Sequence, residues 1–445
     1  MRFIFGRGGV IMPLDVLLSV GLLLSTASQL RPEGAAVGPG EICLASWIFL
    51  MLCREVRRLG PPVTGPFSIL LIFWLTFAVT QCLGTMMAFV IGDRHDSGLF
   101  LHDVLAYPLL AVVSCLGVVE PGAALRLRRT AWLVVALGSS LLALQVGKAW
   151  GAIEILPIEP WYWDRLRGWC RNPNQLALLC TVLGLLSLHL ADTATRLHER
   201  ITAIACAILP IYVGRLTKSD TFAIILVASG PIFVALKFRT WLFAFGQRLT
   251  FRSAAAWIIV LAIPLAVAAT APVVNSIAIE AKDVAKEMAK GTGIQTERTA
   301  SVRFTAWSEA ISRGIESGML GLGPGPHLAI PFLIVEGRRN ALDEPANMDH
   351  PTLGATPNFE AHNTLLDLFT QSGLMGILSV IWLVTMAFLA THQARLDGLV
   401  TLLCGLTIFS TFHLIIRHPI FWFAIALCLV AGDAARRMPA ARVRR

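Results

Sequence analysis

The chain has 445 residues, 56% hydrophobic and 15% charged, with a formal net charge of +9. Soluble domains carry about 25% charged residues, so an ordinary soluble protein is excluded. Apolar runs near the ~20 residues that cross ~30 Å of hydrocarbon recur throughout. Basic charge in such a chain concerns the side of the membrane on which it lies, not nucleic acid.

In chain order, the apolar runs predict spans at about Val10–Leu30, Val37–Cys53, Pro66–Ile91, Leu99–Val119 and Thr130–Trp150. Further spans follow at about Pro173–Leu190, Ile201–Val213, Thr221–Leu236, Ala254–Val274, Thr364–Ala390, Gly398–Ile416 and Pro419–Gly432. Arg2 and Arg7 precede the first, which reads as a span rather than a cleaved signal. Alternate loops are basic: Arg54, Arg57 and Arg58, then Arg126, Arg128 and Arg129, then Arg196 and Arg200, then Lys237 to Arg252. The tail, with Arg436, Arg437, Arg442, Arg444 and Arg445, falls on the same side. Basic loops stay inside, so an N-in, C-in topology is expected, with the long loop outside in a periplasm-like compartment. The expectation is an all-α polytopic membrane protein of about 12 transmembrane helices in one integrated domain. Residues 1–274 hold spans 1–9, 275–361 a large periplasmic loop, and 362–445 spans 10–12 and the basic tail.

The long loop is patterned. Ser276–Gly291 reads as an amphipathic helix and Val302–Glu316 as a second, with Val302, Trp307, Ala310 and Ile311 on one side. His327–Val335 is apolar enough to dock on the bilayer, and polar, Pro-bearing Glu336–Phe359 suits a lid. Gly321-Leu322-Gly323-Pro324-Gly325 reads as a sharp turn after a helix, with a phosphate cradle as the alternative. The outside loops place cations at the membrane: Arg165, Arg167 and Arg171 before span 6, Arg215 and Lys218 in the span 7–8 corner, and Arg303 in the long loop. Guanidinium matches phosphate oxygens in bidentate fashion, so a lipid diphosphate fits. Against this stands interfacial anchoring, the commoner role for any single Arg. His362 lies where the loop re-enters the membrane, with the general base as its functional role and a satisfied interfacial residue as the alternative. Glu360 is an alternative base or its orienting partner, and Asn363 is expected to cap span 10. The nine cysteines show no metal-type spacing, the outer loops hold no Asp-x-Asp pair, and the histidines are scattered, so neither metal nor cofactor is expected.

Three stretches together resemble the O-antigen ligase and O-antigen or exopolysaccharide polymerase superfamily. They are Gly168-Trp169-Cys170-Arg171-Asn172-Pro173-Asn174-Gln175-Leu176-Ala177; Arg303 and Trp307 followed by Gly321 to Gly325; and His362-Asn363 followed by Gly373-Leu374-Met375-Gly376. One departure stands out: the family often has Ser-Arg after its seventh span, where this chain reads Lys218-Ser219-Asp220. The resemblance implies a GT-C-like glycosyltransferase of the bacterial inner membrane with its active site facing the periplasm, metal-independent and inverting, with an undecaprenyl-diphosphate-linked glycan donor. It implies Arg171, Arg303 and Arg215 or Lys218 on the diphosphate, and His362, with Glu360, on the acceptor proton. A glycan acceptor makes the protein a polymerase and lipid A–core makes it a ligase; the Lys-Ser-Asp-Thr corner leans towards polymerase. Membrane lipid and a chain-length regulator are the further partners. A transporter or flippase is the competing class, disfavoured because few ionisable residues fall at mid-membrane depth.

Overall fold

The computed structural model describes residues 13–32, 37–57, 63–93, 96–119, 122–154, 158–244, 302–330 and 357–437, with side chains of the last α8 residues left aside. The expected span at Ala254–Val274, the Ser276–Gly291 helix and most of Glu336–Phe359 lie outside them. The α-helices are α1 (Pro13–Leu24), α2 (Pro39–Val56), α3 (Gly65–Ile91), α4 (Ser97–Val119), α5 (Ala123–Ala149), α6 (Pro173–Thr193), α7 (Leu197–Leu216) and α8 (Asp220–Ala244). They continue with α9 (302–316), α10 (Thr364–Gln393), α11 (Asp397–Ser410) and α12 (Pro419–Arg437). A two-stranded hairpin, β1 (Trp161–Tyr162) and β2 (Arg165–Leu166), pairs Tyr162 with Arg165 between α5 and α6. Eight of these helices, α3 to α8, α10 and α12, are long and apolar enough to cross a membrane. The protein is a multi-pass helical membrane protein.

Several span boundaries differ from the apolar runs: α5 begins at Ala123, seven residues before Thr130, so Arg126, Arg128 and Arg129 lie in the helix and not in a loop, and α8 runs on to Ala244. Helix α1 stops at Leu24, because Gln29 turns the chain aside: its amide donates to the carbonyls of Gly168 and Cys170, each at 2.8 Å. Helix α11 stops at Ser410, whereas the apolar run continues to Ile416. Leu414, Ile415 and Ile416 are buried, yet they belong to a non-helical loop, 411–418. That loop is held by three side chains, one of them Asn363, whose Nδ2 donates to the Thr411 carbonyl at 3.0 Å. Thr364 Oγ1 donates to the His413 carbonyl (2.5 Å) and accepts from Ile415 N–H (3.1 Å), while Trp422 Nε1 donates to the Ile416 carbonyl (2.7 Å).

The core is an aromatic seam between α3, α4 and α12. Trp74 and Trp422 lie 4.3 Å apart, Phe73 and Trp422 5.2 Å, and Phe77 meets Tyr107 edge-on at 5.0 Å. Within hydrocarbon the polar tips of such residues need partners. Trp74 Nε1 donates to Ser114 Oγ (2.9 Å), Tyr107 Oη to Gln371 Oε1 (2.8 Å) and Gln81 Nε2 to Ser372 Oγ (2.7 Å). The first bond joins α3 to α4, and the other two tie α4 and α3 to α10 at Gln371 and Ser372.

Helix α10 is broken there: Gly373 has φ 64° and ψ −162° inside the helical run. A break frees backbone donors and acceptors that the membrane cannot solvate. The glycine turn supplies their partners. Leu322 and Gly323 N–H donate to the carbonyls of Thr370 (2.7 Å) and Gln371 (2.9 Å), and Leu374 N–H donates to the Met319 carbonyl (2.9 Å). Cβ atoms would leave no room for this: one on Gly373 would sit 2.0 Å from the Met319 oxygen, and one on Gly321 2.6 Å from the Gln371 carbonyl. The two glycine motifs are therefore halves of one packing device.

Candidate functional site

One end of the bundle gathers the hairpin, the α7–α8 corner, α9, the glycine turn, residues 357–363 and the 411–418 loop. The local structure around His362 begins in the first turn of α10. Asn363 is its N-cap, the side-chain oxygen accepting from the N–H groups of Leu365 (3.0 Å) and Leu366 (3.2 Å). Buried Asp367 then accepts backbone N–H on both sides of the histidine, from Ala361 (2.7 Å) and Asn363 (3.1 Å). His362 between them has φ 52°, a left-handed conformation uncommon for a side-chain-bearing residue and concentrated at functional sites. The imidazole is thus fixed by its flanks, with Phe359 edge-on at 5.3 Å.

Helix α9 explains the pairing of Arg303 with Trp307. Four residues apart, they share a helix face. Trp307 Nε1 donates to the Ala361 carbonyl (3.0 Å), which docks the helix on the His362 segment. Arg303, one turn earlier, sits over the Phe412 ring at 5.8 Å. Burial lowers the His362 pKa below its ordinary value; Glu360 works against that and Arg303 with it. Imidazole is then neutral near pH 7 and able to accept a proton. His413 is pushed down to about 3, by burial first and then by His362, Arg303, His418 and Arg165. Those residues thus share one electropositive neighbourhood.

Arg165 is the second guanidinium of this neighbourhood. Its Nε donates to the Thr217 carbonyl (2.9 Å) and its NH2 to Asn174 Oδ1 (3.2 Å), which locks it against the α7–α8 corner and the start of α6. Burial lowers its pKa, Asp220 opposes that, and Arg303 adds to the lowering from within electrostatic range. The other expected phosphate ligands are placed differently. Lys218 is exposed, with φ 48°, and its ammonium pairs with Asp164 in the hairpin turn. Arg215 and Arg171 are exposed as well; the Arg171 backbone N–H donates to Ser28 Oγ at 2.8 Å.

Glu360 is ion-paired with Arg417 of the 411–418 loop. Arg417 had no signal in the sequence beyond its place in a short loop between two spans. His327 holds the glycine turn from below: Nε2 lies 2.8 Å from the Gly323 carbonyl and Nδ1 3.3 Å from Asp93 Oδ2. An apolar groove of about 260 Å³ runs between α10, α11 and α12 and begins at Thr364, two residues from His362. Leu365, Ile381, Leu406, Ile415 and Phe421 line it. A wider depression of about 820 Å³ follows the far face of α9, along Phe304, Ser308, Glu309 and Arg313, and includes neither Arg303 nor His362 in its lining. The apolar groove's lining likewise includes neither residue, but Thr364 and Leu365 bring it to the first turn of α10, next to the His362 segment.

The fold and this site define a polytopic membrane protein with a cationic, histidine-bearing centre at one end of its helices. Residues 204–381 match the family model described as O-antigen ligase. The match covers less than half of the chain and is a similarity to the O-antigen ligase and polymerase superfamily over that stretch. It takes in Arg215, Lys218, Arg303, Glu360 and His362 and leaves out Arg165, Arg171 and Arg417. No curated protein matches the chain.

Proposed function

We propose that the protein transfers a glycan from undecaprenyl diphosphate to an acceptor hydroxyl at the periplasmic face of the inner membrane, by metal-independent, inverting chemistry. The observation that carries this reading is that His362, Arg303 and Arg165 all act on His413, with Arg303 over the Phe412 ring and an apolar groove that reaches Thr364, two residues from His362. His362 takes the acceptor proton as the hydroxyl oxygen bonds to the anomeric carbon. The bond from that carbon to phosphate breaks on the opposite face, and the diphosphate leaves with its charge met by Arg303 and Arg165. Arg171, Arg215 and Lys218 form an exposed cationic rim that draws the diphosphate in. The polyprenyl chain lies in the groove between α10, α11 and α12. Glu360, committed to Arg417, orients rather than acts as base.

Basic residues at the opposite end of the bundle support the orientation: Arg54 of α2, Arg126 of α5, Arg200 of α7, Lys237 of α8 and Arg436 of α12. The test uses membranes supplied with the lipid-linked donor. His362→Ala and Arg303→Ala are each expected to lower turnover by about 10²–10⁴-fold, and EDTA to leave wild-type turnover unchanged. Wild-type turnover in both variants at normal abundance would overturn the assignment. The acceptor is taken as another lipid-linked repeat, the polymerase reading, on the Lys-Ser-Asp-Thr corner. A deletion strain that accumulates single repeats supports it, whereas long chains stranded on the carrier with bare lipid A–core would make the protein a ligase.

A further inference from the structure

Arg417 lies outside the matched family segment and outside every motif the sequence offers. Its guanidinium nevertheless joins four separate parts of the chain. One nitrogen pairs with Glu360 on the His362 segment, and another donates to Asp103 Oδ2 on α4 at 2.5 Å. Asp103 is 1% exposed, and the same oxygen accepts the Gly325 N–H at 3.1 Å, which attaches the glycine turn. The neighbouring backbone is fixed by the Trp422 bond to Ile416. A buried carboxylate needs a counter-charge or it neutralises; Asp103 has Arg417 on one oxygen and His102 Nδ1 3.2 Å from the other, while half-buried Glu360 shares the same guanidinium.

We propose that Arg417 is a positioning residue for glycan transfer: it holds the Glu360 carboxylate and the glycine turn in register with His362, and leaves His362 as the base. The inference rests on the proposed function. The groups facing His362 are Glu360 on its own segment, Arg303 from α9 and His413 from the 411–418 loop, with Asp367 of α10 beneath its backbone. Arg417 sets how much of the Glu360 charge His362 experiences. With Arg417 in place that charge is largely compensated. Without it, an unpaired anion stands beside the imidazole and favours its protonated form.

The experiment is the pH profile of kcat in membranes for Arg417→Gln, Arg417→Lys, Glu360→Gln and the Arg417→Gln/Glu360→Gln double variant, with His362→Ala as reference. In Arg417→Gln the acid limb is expected to move up by roughly half a pH unit. In Glu360→Gln it moves down, in the double variant, with neither charge, it lies between the two single variants, and Arg417→Lys restores part of the wild-type profile. A purely structural role would lower kcat or abundance without moving the limb. If Arg417→Gln fails to accumulate, Glu360→Gln and Arg417→Lys carry the test, and an acid limb at the wild-type position in both overturns the proposal. Activity retained in His362→Ala would sink the functional reading itself. An inactive His362→Ala together with unmoved limbs in the other variants would sink only the role of Arg417.

Discussion

Gly373→Ala tests whether the two glycine motifs are one device. The native residue has φ 64° and ψ −162°, a region open almost only to glycine, and a strained residue there costs about 1–3 kcal/mol. The new Cβ would lie 2.0 Å from the Met319 oxygen and 2.6 Å from the Leu320 carbonyl carbon, so backbone must shift, at about 1–3 kcal/mol for overpacking. Together the loss centres on about 4 kcal/mol. Unfolding entropy of about 2.1 cal/mol/K per residue makes each kcal/mol worth about 1 °C in a chain of this length, so Tm should fall by about 4 °C. The assay is thermal unfolding in detergent, with Gly184→Ala as control, because a Cβ there meets nothing within 4 Å. That control should change stability by less than about 1 kcal/mol, and in the stabilising direction. Turnover should fall in Gly373→Ala alone, since the displaced turn carries the Gly325 contact to Asp103. A Gly373→Ala protein that melts with the wild type refutes the account of the break in α10.

Acid should loosen the site. The pKa values of His362, His413 and His418 are all depressed, with His413 near about 3 and His418 near about 4, chiefly by burial. Below about 6.5 the unfolded chain binds protons that these folded rings refuse, so their contribution is intact above that pH and stability falls on acidification. Each ring contributes at most about 1.4 kcal/mol per pH unit. His413→Gln should therefore lose less Tm than the wild type between pH 7.5 and pH 5, and an equal loss would count against the assignment. Asn363→Ala removes the cap of α10 and should cost about 1 kcal/mol, with a kcat decrease if the cap also holds the His362 turn. Thermal unfolding with single-turnover kinetics separates the two effects, and an unchanged Tm would show that the cap is not needed.

Much of the architecture was legible in the chain because its cause is local. A run of apolar residues long enough for the bilayer must be a helix, and Asn363 before such a run had few other roles. The turn character of Gly321 to Gly325 could be read in the same way, from glycine's backbone freedom. That this turn fills the break at Gly373 could not, because the partners lie far apart in sequence and neither motif names the other. Helix α11 was read six residues too long for a related reason: Leu414, Ile415 and Ile416 are as apolar as a span, and only the Thr364 and Trp422 bonds show that they form a buried loop.

The charged residues divide along the same line. Sequence alone raised the expectation that His362 and Arg303 lie on the less basic side, since hydropathy and charge bias are properties of short windows. Tertiary structure decided which cations meet. Lys218 was drawn to Asp164, and Arg165 was turned towards Arg303 by its bonds to Thr217 and Asn174. Arg417, 314 residues from Asp103 in the chain, became the link between the base-bearing segment and the glycine turn. An arginine in a short loop has the same local signature whether it meets lipid, phosphate or carboxylate. The difference is electrostatic and depends on which acids the folded helices bring within reach.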